Sequence, residues 1–285
     1  MNPEVLVAVD WSGARSGARR ALWLAEIREA RLRRLECGRD REELIAHLVA
    51  LAAREPRLVV GLDFAFSFPA WFLHAHGVAT APEAWELARR EGETWLARCE
   101  PPFWGRRARP RPDLPPDNSS FRVTESERLP VRGIGPKSVF QIAGTGSVGT
   151  GSIRGMPKLR ELSDAGFSIW PFDPPRLPMA IEIYPRWLTG RVRKTNEVSR
   201  RLHLAVHAAY DDPALVELAA SSEHAFDAAA SAIAMGLHRG SFLELPRADD
   251  PVVLAEGRIW TPTSPPRTGA GTPPAPRPPS GSRAR

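Results

Sequence analysis

Five consecutive apolar residues, Val5-Leu6-Val7-Ala8-Val9, run directly into a carboxylate, Asp10, and then into a Trp11-Ser12-Gly13 break. A nearly continuous, β-branched run of this length predicts a strand buried on both faces of a central sheet. Such a strand limits the fold to one with covering layers on both sides, and it sets an acid at the strand end, where open α/β sheets bind ligands. The pattern recurs in Leu58-Val59-Val60-Gly61-Leu62, which ends in Asp63.

Two further acids interrupt apolar segments. Glu182 lies between Ile181 and Ile183 in a third strand-like run from Met179, so it points opposite to them, toward solvent or a shared polar pocket. Asp227 sits in the Ala-rich segment Glu223 to Leu237, which predicts a helix buried nearly all round. A lone strand-end Asp is often a turn or cap residue. Four acids in apolar settings are a different matter, because each buried charge needs compensation. Converging carboxylates repel one another unless a cation neutralises them, and Mg²⁺ binds through a few such oxygens plus water. Paired ions about 4 Å apart would activate a water and stabilise the leaving oxygen in phosphodiester hydrolysis.

The remaining pattern supports an α/β chain. Ala21 to Ile27 and Arg31 to Leu35 read as two more strands, forming an antiparallel meander with the first. Asp40 and Glu43 form a capping-box signature ahead of Leu44, Ile45, Leu48 and Leu51 at helical spacing. Pro82 to Cys99 predicts another helix. Residues 101–135 interleave Arg106, Arg107, Arg109 and Arg111 with prolines, which predicts an exposed basic insertion, either a substrate flap or a solvated loop. Residues 1–262 are thus expected to form one domain, and residues 263–285, rich in Pro, Gly and Arg, a disordered tail.

With 42% hydrophobic and 25% charged residues the 285-residue chain has globular composition, and its net charge of +6 favours polyanionic partners. Cys37 and Cys99 match no metal or redox spacing and suit a reducing compartment. No apolar run reaches bilayer length and the N-terminus lacks a leader pattern, so the expectation is a cytoplasmic protein without a membrane partner.

Several stretches, in order, resemble the domain of unknown function 429 family of predicted ribonuclease H-like nucleases: residues 7–13 (VAVDWSG), 61–66 (GLDFAF), 147–159 (SVGTGSIRGMPKL), 169–173 (IWPFD), 182–185 (EIYP) and 224–228 (HAFDA). The resemblance implies a ribonuclease H-like mixed sheet, three antiparallel strands followed by parallel ones, flanked by helices. It also implies that Asp10, Asp63 and Asp227 hold catalytic Mg²⁺ or Mn²⁺. The resolvase branch of that superfamily carries a His or Asp one turn before the final Asp, a place held here by His224, and a Glu where Asp63 stands. Glu182 joins the catalytic set as an auxiliary group. Ser12, Gly13, Ser147, Arg154 and Lys158 are the candidate contacts to substrate phosphate, through backbone amides and cationic side chains.

Other motifs are weaker. Gly144 to Gly149 matches a dinucleotide fingerprint but lacks the strand before it and a ribose-binding acid after it. Phe64, Phe66, Phe68, Trp71 and Phe72 suit a core better than a base-stacking platform. The run Arg191, Arg193, Lys194, Arg200 and Arg201 reads first as a solvated face and second as a phosphate contact. The expected function is a divalent-metal-dependent nuclease acting on structured DNA or RNA. The alternatives are an actin-like phosphotransferase or ATPase, which predicts a duplicated domain with two phosphate loops, and a non-catalytic nucleic-acid-binding module.

Overall fold

The apolar runs assemble into one six-stranded mixed sheet in a computed structural model, which describes residues 2–262 apart from 128, 129, 132 and 208. The strands are β1 (Val5–Asp10), β2 (Trp23–Arg28), β3 (Arg31–Glu36), β4 (Leu58–Leu62), β5 (Ser168–Trp170) and β6 (Met179–Glu182). Their order across the sheet is β3-β2-β1-β4-β6-β5. β1, β2 and β3 form the expected antiparallel meander, and β4, β6 and β5 continue from β1 in parallel. β5 is an edge strand that periodicity did not predict, because three residues are too few to show a repeat. The expected tail, 263–285, lies outside the described residues.

Helices cover both faces. In chain order they are α1 (Ala18–Ala21), α2 (Arg41–Arg54), α3 (Ala70–Ala75), α4 (Ala81–Arg98), α5 (Val123–Ser126), α6 (Gly149–Asp164), α7 (Pro185–Thr189), α8 (Glu197–Ala205), α9 (Pro213–Ser221), α10 (Glu223–Leu237) and α11 (Pro251–Glu256). The Asp40–Glu43 capping box starts α2, and a second box, Thr80 with Glu83, starts α4. Both satisfy the amides that a helix start leaves unpaired.

Strand alternation divides the core in two. Val5, Val7 and Val9 with Leu58, Val60 and Leu62 face the layer of α2, α4 and α6. Leu6, Ala8 and Val59 face the opposite layer, built on α10. Gly61 sits under α10: a Cβ there would lie 2.7 Å from Met235 Sδ, so the missing side chain sets how closely the helix approaches β4.

The insertion corrects the expectation of an exposed loop. Residues 107–117 are mostly exposed, but Phe103, Ser120, Arg122, Thr124 and Glu125 are buried. Phe103 joins a ring cluster with Phe72, Trp95 and Phe140, centroids 5.4–5.8 Å apart. Phe64, Phe66, Phe68 and Phe72 are core residues. No helix among the described residues is long and apolar enough to cross a membrane.

Candidate active site

β1 and β4 run side by side with Val9 opposite Leu62, and the Asp63 amide donates to the Val9 carbonyl at 3.1 Å. Continuing that register by one residue sets Asp10 next to Asp63, one strand spacing away, ~5 Å. Side chains alternate, so both carboxylates leave the sheet on the α10 face. α10 crosses β1 there, starting from Ser222, whose hydroxyl accepts from the Ala225 amide. His224 and Asp227, one turn apart, project from its first two turns.

The three aspartates feel one another. Burial together with the charges of Asp10 and Asp227 pushes the Asp63 carboxyl well above the usual carboxylate range. Burial raises Asp227 to about 6, although Lys194 pulls the other way. Asp10, also raised by burial, is eased by His224, whose Nδ1 lies 2.7 Å from Asp10 Oδ2 and whose own pKa rises in return. Beside them the Tyr184 hydroxyl is pushed up to about 12 by burial and the Asp63 charge.

The carboxylates are unequally satisfied. Lys194 Nζ lies 2.6 Å from Asp227 Oδ1 and 2.8 Å from Oδ2. The approach to Oδ1 lacks hydrogen-bond geometry and leaves that atom buried without a hydrogen-bond partner. Asp63 makes no side-chain hydrogen bond or ion pair among the described residues. Among those residues no group of three or more His, Cys, Asp and Glu side chains is already arranged to hold a metal ion.

These acids open into a cleft of about 1110 Å³ that Asp10, Asp63, Asp227, Glu223 and His224 line together with Arg15, Arg98, Arg106 and Arg154. Asp10 is buried, Asp63 and Asp227 are half-buried, and Glu223, Arg15 and Arg98 are exposed. The far wall is the start of α6. Trp11 Nε1 donates to the Gly151 carbonyl at 3.0 Å, and Gly13 packs so closely on this helix that a Cβ would stand 2.4 Å from the Gly151 nitrogen. Gly13 is thus required by backbone approach rather than by turn geometry. Ser12, Gly13, Ser147 and Arg154 all line the cleft. Arg154 pairs with Glu93 at 2.6 Å and donates to the Gly13 carbonyl.

Three sequence expectations change here. Lys158 does not line the cleft: it is buried between α6 and α2 and paired with Glu42 and Glu161, because its position on α6 faces the helix layer. Glu182 leaves the sheet on the face opposite the aspartates, since Met179, Ile181 and Ile183 occupy the α10 face. It is an ion-pair partner there, held by both terminal nitrogens of Arg122 at 2.5 and 2.8 Å and by the Phe66 amide at 3.0 Å. The basic run near residue 194 is not a uniform solvated face, because Lys194 and Arg200 are buried. The sequence shows Lys194 as one member of a basic run, and nothing in the pattern around Arg122, within the 101–135 insertion, marks it. The signal for Lys194 was its type, a lysine among Arg191, Arg193, Arg200 and Arg201. Among the described residues no strand leads into Gly144 to Gly149, so this stretch does not begin a βαβ unit there. Comparison with family models, curated proteins and solved structures finds no match to this chain.

Proposed function

We infer that the protein is a divalent-metal-dependent nuclease with a ribonuclease H-like fold, acting on a structured DNA or RNA. The observation that carries this is the convergence of Asp10, Asp63 and Asp227, from two adjacent strand ends and one helix, on one cleft that Arg15, Arg98, Arg106 and Arg154 also line. The strand order, an antiparallel meander continued by parallel strands from β1, supports the fold. The six strands form one sheet rather than two duplicated halves, which weighs against the actin-like alternative.

The site's chemistry suits Mg²⁺ or Mn²⁺. A hard cation takes oxygen ligands and completes its shell with water. Among the described residues Asp63 makes no side-chain hydrogen bond or ion pair, whereas Asp227 is ion-paired to Lys194, so Asp63 is the carboxylate that the chain leaves open to a cation. Asp10, Asp63 and Asp227 would hold the metal, which when bound supplies Lewis acidity toward a phosphoryl oxygen and lowers the pKa of water. The chain's own groups do the rest. His224 holds the Asp10 carboxylate in place and, being 58% exposed at the cleft, can pass a proton to or from solvent. Arg15 and Arg98 attract the phosphate backbone in a salt-dependent way. The Arg154 contact to Gly13 braces the loop after β1.

The test is cleavage of RNA, DNA, hybrid and branched substrates with Mg²⁺ or Mn²⁺, comparing wild type with Asp10→Asn. Loss of about 10³-fold in rate is expected, the scale of removing several kcal/mol of transition-state stabilisation. Equal cleavage by the variant refutes the assignment. Salt-dependent binding with no cleavage of any substrate favours the binding module instead.

A further inference from the structure

Lys194 reaches the acid cluster from the loop between α7 and α8, and its side chain is only 9% exposed. Its place is built rather than incidental. The buried Arg200 guanidinium donates to the Lys194 carbonyl at 2.5 Å and to the Ala220 carbonyl at 2.8 Å, tying the loop to the helix layer beside α10. From there the ammonium addresses both oxygens of Asp227. A cation astride both oxygens of a carboxylate is where a divalent ion would otherwise bind.

We propose that Lys194 takes the place of a second cation, so that the site loads one divalent ion, on Asp10 and Asp63, rather than a pair. This rests on the nuclease reading above and narrows its ligand set: Asp227 keeps Lys194 as its cation, and Asp10 and Asp63 take the ion. Among the described residues Asp63 makes no side-chain hydrogen bond or ion pair, and Asp10 uses only Oδ2 toward His224. The two stand side by side at parallel strand ends, with free oxygens for one ion. A lysine, a compact ammonium on a flexible stem, fits this role better than the arginines that surround it in sequence.

The experiment counts Mn²⁺ bound to the full, substrate-free chain near pH 7.5, by calorimetric titration and by the electron paramagnetic resonance signal of free Mn²⁺. Wild type is expected to bind one ion per chain, with affinity at least tenfold weaker in Asp63→Asn. Lys194→Met, which removes the internal cation, is expected to bind two. Circular dichroism checks that the variant folds, and Lys194→Gln, which keeps a donor to Asp227 without its charge, replaces it if it does not. Two ions in wild type, or one in both wild type and variant, overturns the proposal while leaving the nuclease reading in place. No ion in either protein overturns the metal site itself, and the proposal with it.

Discussion

The two faces of the sheet carry similar acids in opposite states. On the far face, Arg122 binds Glu182 and Glu125, while Glu256 accepts from the Ala70 and Val123 amides. Every carboxylate in that group has donors, and Arg122 is 1% exposed. On the α10 face, three aspartates share one lysine and one histidine, and Asp63 has neither as a bonded partner. The far face spends its charge on fastening the insertion and α11 to the sheet. The α10 face leaves charge unspent beside a cleft. A buried acid is therefore not a functional signal by itself; an under-compensated one that reaches solvent is.

That contrast can be broken most severely at Arg122. Arg122→Met should leave Glu182 and Glu125 buried without their cation and cost about 3–5 kcal/mol, read by urea unfolding. A loss below about 1 kcal/mol would show that the group is not the fastening it resembles.

The α10 face should respond with the opposite sign. Asp63→Asn removes a carboxylate repelled by two neighbours, and the metal-free protein should gain about 0.5–2 kcal/mol while losing cleavage, the trade expected where function is kept at the expense of stability. Destabilisation in the absence of metal would place Asp63 with the structural acids.

A smaller effect comes from pH. Asp227, raised to about 6 by burial, holds a proton in the folded chain over a range where the unfolded chain has lost it. Stability of the metal-free protein should then fall as pH rises from about 4 to about 6. Glu125, raised to about 7 by burial, acts in the same direction on the far face. Saturating Mn²⁺ should flatten only the share from the α10 face, and EDTA should restore it. In thermal melts each kcal/mol appears as about 2–4 °C. A melting profile that Mn²⁺ leaves unchanged from pH 4 to 7 would separate the aspartates from any metal.

Much of the fold was legible because its central strands are apolar throughout. β1 and β4 announced themselves by composition, and the break after each located Asp10 and Asp63 at strand ends. α10 was legible because its alanines leave Asp227 conspicuous. Glu182 was harder. Its sequence neighbours showed that it points away from Ile181 and Ile183, but not which layer those isoleucines join, since that depends on register with β4. Lys194 and Arg122 were hidden for a related reason. A cation in a basic run, as Lys194 is, or in an insertion read as exposed, as Arg122 is, reads as solvated until a carboxylate from a distant segment is seen to bury it.

The sequence by itself determined the sheet, the strand-end aspartates and the helix that carries a third, because periodicity and apolar run length are local properties of the chain. Only the tertiary structure decided which acids share a face and which cation neutralises each. Those outcomes depend on register and on contacts between residues as far apart as Arg122 and Glu182, or Lys194 and Asp227, and no local pattern encodes them.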